Sequence, residues 1–183
     1  MNYAVHTAET APEAARETLA GAKKAYGFLP NLLAVMAEAP ALVKAYVTLS
    51  RIFEEASLSP SERQTVLLTV SYENDCDYCV AAHSVIAGMQ KVSEETVQAI
   101  RDGRPIADRK LEAIRRFTAA VVNTRGWPTD ADTRAFLGAG YTQSQVLEVV
   151  LGVGIKTLSN YTNHIARTPL DMAFAKAAWS KAA

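Results

Sequence analysis

The residues best able to do chemistry in this chain lie in the run Asn74-Asp75-Cys76-Asp77-Tyr78-Cys79-Val80-Ala81-Ala82-His83, which holds both cysteines and one of the three histidines. Steps of three, four and three place Cys76, Cys79, His83 and Ile86 on one stripe of a helix, facing the same way. Asn74 or Asp75 is suited to cap that helix. The cysteines then fall in the first turn, where unpaired backbone N–H groups and the macrodipole favour an anion. A thiolate is such an anion, and His83, one turn beyond Cys79, can pair with it or exchange a proton with it. Surroundings of this kind lower a cysteine pKa from ~8.5 toward ~3.5–7.5. Asp75 and Asp77 act in the opposite sense.

Positions three apart on a helix have Cα atoms about 5 Å apart, inside the roughly 4.4–6.8 Å window of a disulfide. The pair can therefore open and close with little backbone movement. Its thiolate could cleave a peroxide O–O bond, become a sulfenic acid and condense with the neighbouring thiol to a disulfide, which an external dithiol would reset. So short a bridge encloses almost no loop, and its value lies in reactivity.

Two other readings of these residues stay open. One is packing alone, because free cysteine is among the most buried residue types. The other is a zinc site, which wants four ligands; with no second CxxC pair, His164 or His6 would have to complete it. His164, in the run SNYTNHIARTPLD, reads first as a hydrogen-bonded core or interface histidine. Tyr78 serves either as packing or as a hydroxyl in a proton chain.

The elements that position these residues are helical. Alanine, leucine, glutamate and lysine recur at helical spacing, and alternating β-branched segments are scarce. The spacing predicts an all-α bundle with helices over Pro12–Tyr26, Pro30–Ala37, Ala41–Glu55, Ser61–Tyr72, Cys76–Met89, Glu94–Arg101, Asp108–Thr124, Asp130–Leu137, Gln143–Asn160 and Asp171–Lys181. Ser59-Pro60 ahead of Glu62, Ser93 ahead of Glu94, and Thr142 ahead of Gln143 are helix starts. Ser61–Tyr72 and Val146–Ile155 are apolar around most of their circumference and read as central buried helices. No connection is long enough to be an interdomain linker, so residues 1–183 are taken as one domain. An offset of 84 positions lays Gln64 over Glu148, Cys76 over Asn160 and Cys79 over Asn163, which suggests a degenerate internal duplication of a helical hairpin.

Lysine plus arginine equals aspartate plus glutamate at 19 each, so no net charge draws the chain to nucleic acid or an anionic membrane. The apolar stretch Val146–Leu158 contains Glu148 and Lys156 and falls short of the ~20 residues that span a bilayer. The polar start MNYAVHTAETAPEAARE lacks the features of a secretory signal, and the expected location is cytoplasmic.

With these residues in hand, the chain resembles the alkylhydroperoxidase D-like, peroxidase-related branch of the carboxymuconolactone decarboxylase family. The resemblance rests on Leu58-Ser59-Pro60-Ser61-Glu62-Arg63 leading into a buried helix, and then on ENDCDYCVAAH. It extends to Gly27-Phe28-Leu29-Pro30-Asn31, to Asn160-Tyr161-Thr162-Asn163-His164 and to Thr168-Pro169-Leu170-Asp171. It implies an all-helical fold, a homo-oligomer (trimer or hexamer), no cofactor or resident metal, and a CxxC pair that reduces small hydroperoxides at the expense of an external dithiol. Carried onto this chain, it makes Cys79 the attacking thiol, Cys76 the resolving thiol and His83 the proton relay.

One position departs from the pattern. The glutamate expected twelve residues before the first cysteine is Gln64 here, and an amide cannot accept the proton of a relay. Gln64 then keeps only a hydrogen-bonding part in the relay, unless Glu62, Glu73 or Glu148 substitutes. Two rival functions accompany the peroxidase reading: a lactone-acting lyase of the decarboxylase branch, and a non-enzymatic protein whose CxxC pair senses redox state through its oligomer.

Overall fold

Ser59 accepts a hydrogen bond from the Glu62 backbone N–H while the Glu62 carboxylate accepts from Ser59 N at 2.7 Å. With Pro60 in the first turn, this capping box starts the helix around which the others gather. In a computed structural model, which describes residues 3–181, the helices are α1 (Glu13–Tyr26), α2 (Asn31–Met36), α3 (Pro40–Glu54), α4 (Pro60–Glu73), α5 (Asp77–Met89), α6 (Glu94–Arg101), α7 (Arg109–Asn123), α8 (Asp130–Gly138) and α9 (Gln143–Ala166). A 3₁₀ turn over Met172–Ala177 follows. The described residues form no strand, as the helical spacing predicts. None of their helices is long and apolar enough to cross a membrane.

Helix α4 packs against α3, α5, α6, α7 and α9 and is buried on nearly every side, as its sequence predicts. One apolar cluster joins it to α7, α8 and α9 through Val66, Phe117, Phe136 and Val149. A second joins the start of α5 to α1 and α2 through Leu19, Leu33 and Met36, with Phe174 of the 3₁₀ turn above them. The cysteines belong to this second cluster.

Three expectations need correction. Helix α9 does not end at Asn160 but runs to Ala166, where Arg167 turns left-handed with φ 51° ahead of Pro169. No residue at 161–163 breaks a helix, so the chain continues until the proline forbids it. The segment Val146–Ile155 is not buried all round: Val149, Gly152 and Ile155 face inward, while Leu147 and Val150 are exposed. Asp171–Lys181 is not an α-helix. Arg101 takes the carbonyls of Ala177 and Ala178 at 3.0 and 3.2 Å, and the Trp179 indole N–H donates to Arg101 O at 2.9 Å, so tertiary partners replace the helical ladder.

The 84-residue offset acquires a spatial meaning. Helix α9 runs unbroken through the register where α4 and α5 are separated, yet Asn160 and Asn163 come to lie against the segment they match.

Candidate active site

The turn from α4 into α5 sets the thiols. Asp75 adopts a left-handed conformation with φ 53°, Asp75 N donates to Tyr72 O at 3.1 Å, and Cys76 N reaches back to Ser71 O at 2.9 Å. This Schellman-type closure ends α4 with an aspartate where glycine is usual. Cys76 itself, extended at φ −90° and ψ 91°, is then the N-cap of α5, one residue later than Asn74 or Asp75. Cys79 therefore stands in the first turn of α5, as its spacing predicts.

Both cysteines are free and buried, and they lie 3.4 Å apart. Their surroundings differ. Cys79 lines a cavity of about 200 Å³, whereas Cys76 sits behind it and does not. Burial alone would push the Cys79 pKa up, but a hydrogen bond from the Cys76 thiol and the charge of the Lys156 ammonium outweigh it and hold Cys79 well below the usual thiol range. The Cys76 thiol is pushed up by that same bond, by burial and by the negative charge on Cys79. The pair is thus uneven: Cys79, on the cavity, is pushed toward the thiolate, and Cys76, behind it, toward the thiol.

Helix α9 supplies the rest. Asn163 Nδ2 donates to Cys79 Sγ at 3.2 Å and to Cys76 Sγ at 3.8 Å. Lys156 is 1 % exposed, lines the cavity, and has no hydrogen-bond partner for Nζ among the described residues. Sequence reasoning missed both, although the spacing Gly152, Lys156, Ser159, Asn163 marks one small-and-polar seam along an apolar helix. Asp75 and Asp77, whose charges oppose a thiolate, lie at the surface, where solvent weakens that opposition: Asp75 pairs with Lys181 at 2.7 Å, and Asp77 is exposed.

His83 also lines the cavity. Its Nδ1 lies 3.0 Å from Gln64 Oε1, and Gln64 Nε2 donates to Gln90 Oε1 at 3.2 Å. With the amide oxygen as acceptor, Nδ1 carries the hydrogen and Nε2 keeps its lone pair. Burial and the Lys156 charge hold His83 well below the usual histidine range, so the ring is neutral. None of the carboxylates considered as substitutes for Gln64 faces this ring. Glu62 caps α4 and pairs with Lys110 at 3.0 Å, Glu73 accepts from Asn123, and Glu148 accepts from Ser57.

Tyr78 turns its hydroxyl away from the thiols. It donates to Asp171 Oδ2 at 2.5 Å and accepts from Leu32 N at 3.2 Å, so anchoring occupies both of its hydrogen-bonding directions. Asp171 also accepts from Asn31 N at 3.1 and 3.2 Å, standing in for the side-chain cap that Pro30 cannot give α2. His164 is exposed and stacks on Tyr161 rather than entering the core, and His6 pairs with Glu38 at 2.7 Å. Neither stands beside the cysteines, and among the described residues no three of His, Cys, Asp and Glu gather into a metal-binding group.

The bundle has the fold of an alkylhydroperoxidase D core. The structure is similar to an uncharacterized peroxidase-related protein from Ralstonia eutropha, described as such a core, with TM-score 0.84 and 20 % identity over 94 % of this chain and 93 % of the other. It is similar also to a peroxidase-related protein from Silicibacter (TM-score 0.80, 16 % identity, 95 % and 92 % covered). A third similar structure is a debrominase held with 2,3,4-tribromopyrrole (TM-score 0.79, 19 % identity, 97 % and 96 % covered). At these identities the likeness is one of fold. Residues 37–115 match the model of the carboxymuconolactone decarboxylase family, a segment that holds the α4 start, both cysteines and His83. No curated protein matches it.

Proposed function

We propose that the protein is a thiol–disulfide oxidoreductase that reduces small organic hydroperoxides. The observation that carries this reading is the placing of the pair: Cys79 lies on the cavity wall with Cys76 3.4 Å away and off the cavity, Asn163 donates to both sulfurs, and their surroundings push the Cys79 pKa down and the Cys76 pKa up. Cys79 Sγ attacks the terminal peroxide oxygen, the O–O bond breaks, and Cys79 becomes a sulfenic acid. The Cys76 sulfur then displaces hydroxide from that sulfenic acid, giving water and the disulfide, and an external dithiol reduces the bridge. His83, neutral with Nε2 unprotonated, receives the Cys76 proton during condensation. The cavity is smaller than the ~300–1,000 Å³ of sites for drug-sized ligands and is lined by Leu67, Phe53, Ile155 and Phe174, which suits a small apolar substrate.

Stopped-flow oxidation by an alkyl hydroperoxide tests the reading. Wild type is expected to react faster than free cysteine, Cys79→Ser not at all, and Cys76→Ser once, leaving a sulfenic acid that dimedone traps. Oxidation of wild type no faster than free cysteine sinks it. The fold shared with a debrominase supports one variation on the same thiols: Cys79 attacks the halogen of a small haloaromatic, the C–halogen bond breaks with its electron pair left on the ring carbon, which takes a proton, and the Cys76 sulfur, giving up its own proton, then displaces halide from the S–halogen bond to form the disulfide. Halide release from a bromopyrrole, lost in Cys79→Ser, separates that reaction from peroxide reduction. Turnover of a lactone unchanged in Cys79→Ser would favour the lyase instead.

The reading includes self-association. Leu147, Val150, Tyr161 and Ile165 form an exposed apolar stripe on α9, beside a shallow groove lined by Met36, Leu42 and Leu158. Copies of the chain covering it in turn around a ring would give the expected trimer or hexamer, and light scattering on the reduced and oxidised protein measures it. Loss of the oligomer on oxidation without peroxide turnover would favour the redox sensor.

A further inference from the structure

Lys156 has no part in the scheme read from the sequence, yet it is the most unusual side chain in the fold. A lysine is almost never fully buried unless paired, and this one is 1 % exposed, with no hydrogen bond to Nζ among the described residues. It comes from α9 to the wall of the cavity that Cys79 and His83 line from α5. Isolating an ammonium there costs several kcal/mol, and Coulomb attraction to an anion beside it is what offsets that cost. The chain at the same time carries glutamine where a carboxylate relay would stand, and His83 is neutral. The cavity therefore holds one mobile proton with an acid's charge behind it, and that proton is on Lys156.

Building on the peroxidase reading, we propose that Lys156 is both the counter-ion of the Cys79 thiolate and the acid of the reaction, giving its proton to the alkoxide that leaves when the O–O bond breaks. The steps balance. Cys79–S⁻ and ROOH give Cys79–SOH and RO⁻; RO⁻ takes a proton from Lys156–NH₃⁺, giving ROH and Lys156–NH₂. Cys79–SOH and the Cys76 thiol then give the disulfide and water. An external dithiol reduces the bridge to two thiols and becomes a disulfide itself, and the new Cys79 thiol returns a proton to Lys156. Thiolate and ammonium disappear together and reappear together, so the buried site carries no net charge in either redox state. Burial itself favours the neutral amine once its partner anion is gone.

The groups facing Lys156 support the assignment. Cys79, Tyr46 and Cys76 raise its pKa against the burial that would lower it. Helix α5 brings Cys76, Cys79, His83 and Tyr78, whose hydroxyl is taken by Asp171; α3 brings Tyr46, with Glu54 at the rim; α1 brings Tyr26, its pKa raised by burial to about 12; α4 brings Gln64 and Arg63; α2 and α7 place no titratable side chain on the cavity.

The test separates charge from proton. Alkylation of Cys79 by iodoacetamide, followed by mass spectrometry across the pH range, reads the thiolate without any substrate. Wild type and Lys156→Arg are expected to share a midpoint below the ordinary ~8.5. In Lys156→Met the midpoint rises and alkylation at pH 6.5 falls at least about tenfold, a factor set by thiolate fraction. Arginine keeps the charge but does not release a proton. Lys156→Arg should therefore lose about tenfold or more in oxidation by tert-butyl hydroperoxide, yet react like wild type with peracetic acid, whose carboxylate leaves unprotonated. An unchanged midpoint in Lys156→Met overturns the counter-ion. An arginine variant slowed equally toward both oxidants, or toward neither, overturns the acid. Wild type inert to both oxidants would overturn the peroxidase reading and the acid together, while the alkylation midpoints still decide the counter-ion. Should Lys156→Met fail to fold, the comparison of oxidants in Lys156→Arg stands alone.

Discussion

Gly152 is where the seam on α9 meets α4, and adding one methyl group there measures how much the site depends on that approach. A Cβ at this position would stand 2.7 Å from Val66 Cγ1 and 3.0 Å from Phe53 Cζ, both inside van der Waals contact. Replacing glycine by alanine inside a helix is favourable by about 1 kcal/mol, through backbone entropy. Overpacking a filled core costs about 1–3 kcal/mol. Gly152→Ala should therefore range from neutral to about 2 kcal/mol destabilising. Gly21, exposed in the middle of α1 with nothing within 4 Å of where an added methyl group would stand, is the control and should keep the whole gain. Thermal and urea denaturation of the two variants should differ by about 1–3 kcal/mol, at roughly 2–4 °C per kcal/mol for a chain of this size. Because Lys156 and Asn163 share the face of Gly152, relief of the clash moves them from Cys79, and alkylation of Cys79 near neutral pH should slow. Equal stabilisation by both alanines would refute the reasoning, since the contact of α9 with α4 would then have slack to spare.

Three more outcomes are expected. Gln64→Glu places a carboxylate 3.0 Å from His83 Nδ1; an opposite charge so near raises the histidine pKa, NMR titration of the ring reads the rise, and thiol oxidation by hydroperoxide should quicken by about tenfold or more. A ring titrating as in wild type would contradict it. Asp171→Ala strips the acceptor from Tyr78 and from Asn31 N and should cost about 3 kcal/mol in urea denaturation, with Asp171→Asn recovering part; a loss under ~1 kcal/mol would mean the clamp is idle. The Glu62 carboxyl is held low because its bonds to Ser59 and Lys110 outweigh burial. Its folded pKa lies below the unfolded one, so its contribution is complete above the ordinary value of ~4.3 and disappears as pH falls through the lowered one. Glu62→Gln should flatten the acid limb of stability against pH, and parallel limbs would refute this.

The sequence makes some parts of this site legible and hides others for a physical reason. Ser59, Pro60 and Glu62 encode the start of α4 within four residues, and helix periodicity places Cys79 and His83 on one face, because these relations are local. Lys156 and Asn163 act across 77 or more positions of chain, and within α9 their neighbours make them look like incidental polar residues in a core helix. The exposed Leu147 and Val150 mislead in the same way, since periodicity records that a side chain avoids water but not what covers it. At Met172–Ala177 the helix-forming composition is real, but Arg101 and Trp179 decide the backbone. Gln64 alone was legible as an exception, because it could be compared with a pattern.

The clamp on Asp171 joins Asn31 to a residue 140 positions later, and this separation orders events during synthesis. When the ribosome has released α5, the thiols have neither Lys156 nor Asn163 beside them, and Phe174 has not yet closed above the cluster they share. Cysteines in that nascent chain have only each other and the start of α5 to perturb them. The Lys156 charge that helps hold the Cys79 pKa down arrives with α9, shortly before the segment that walls the site in. Activation and shelter thus come from the same late stretch of chain, so the growing polypeptide does not carry an activated thiol exposed to oxidants before the fold can control it.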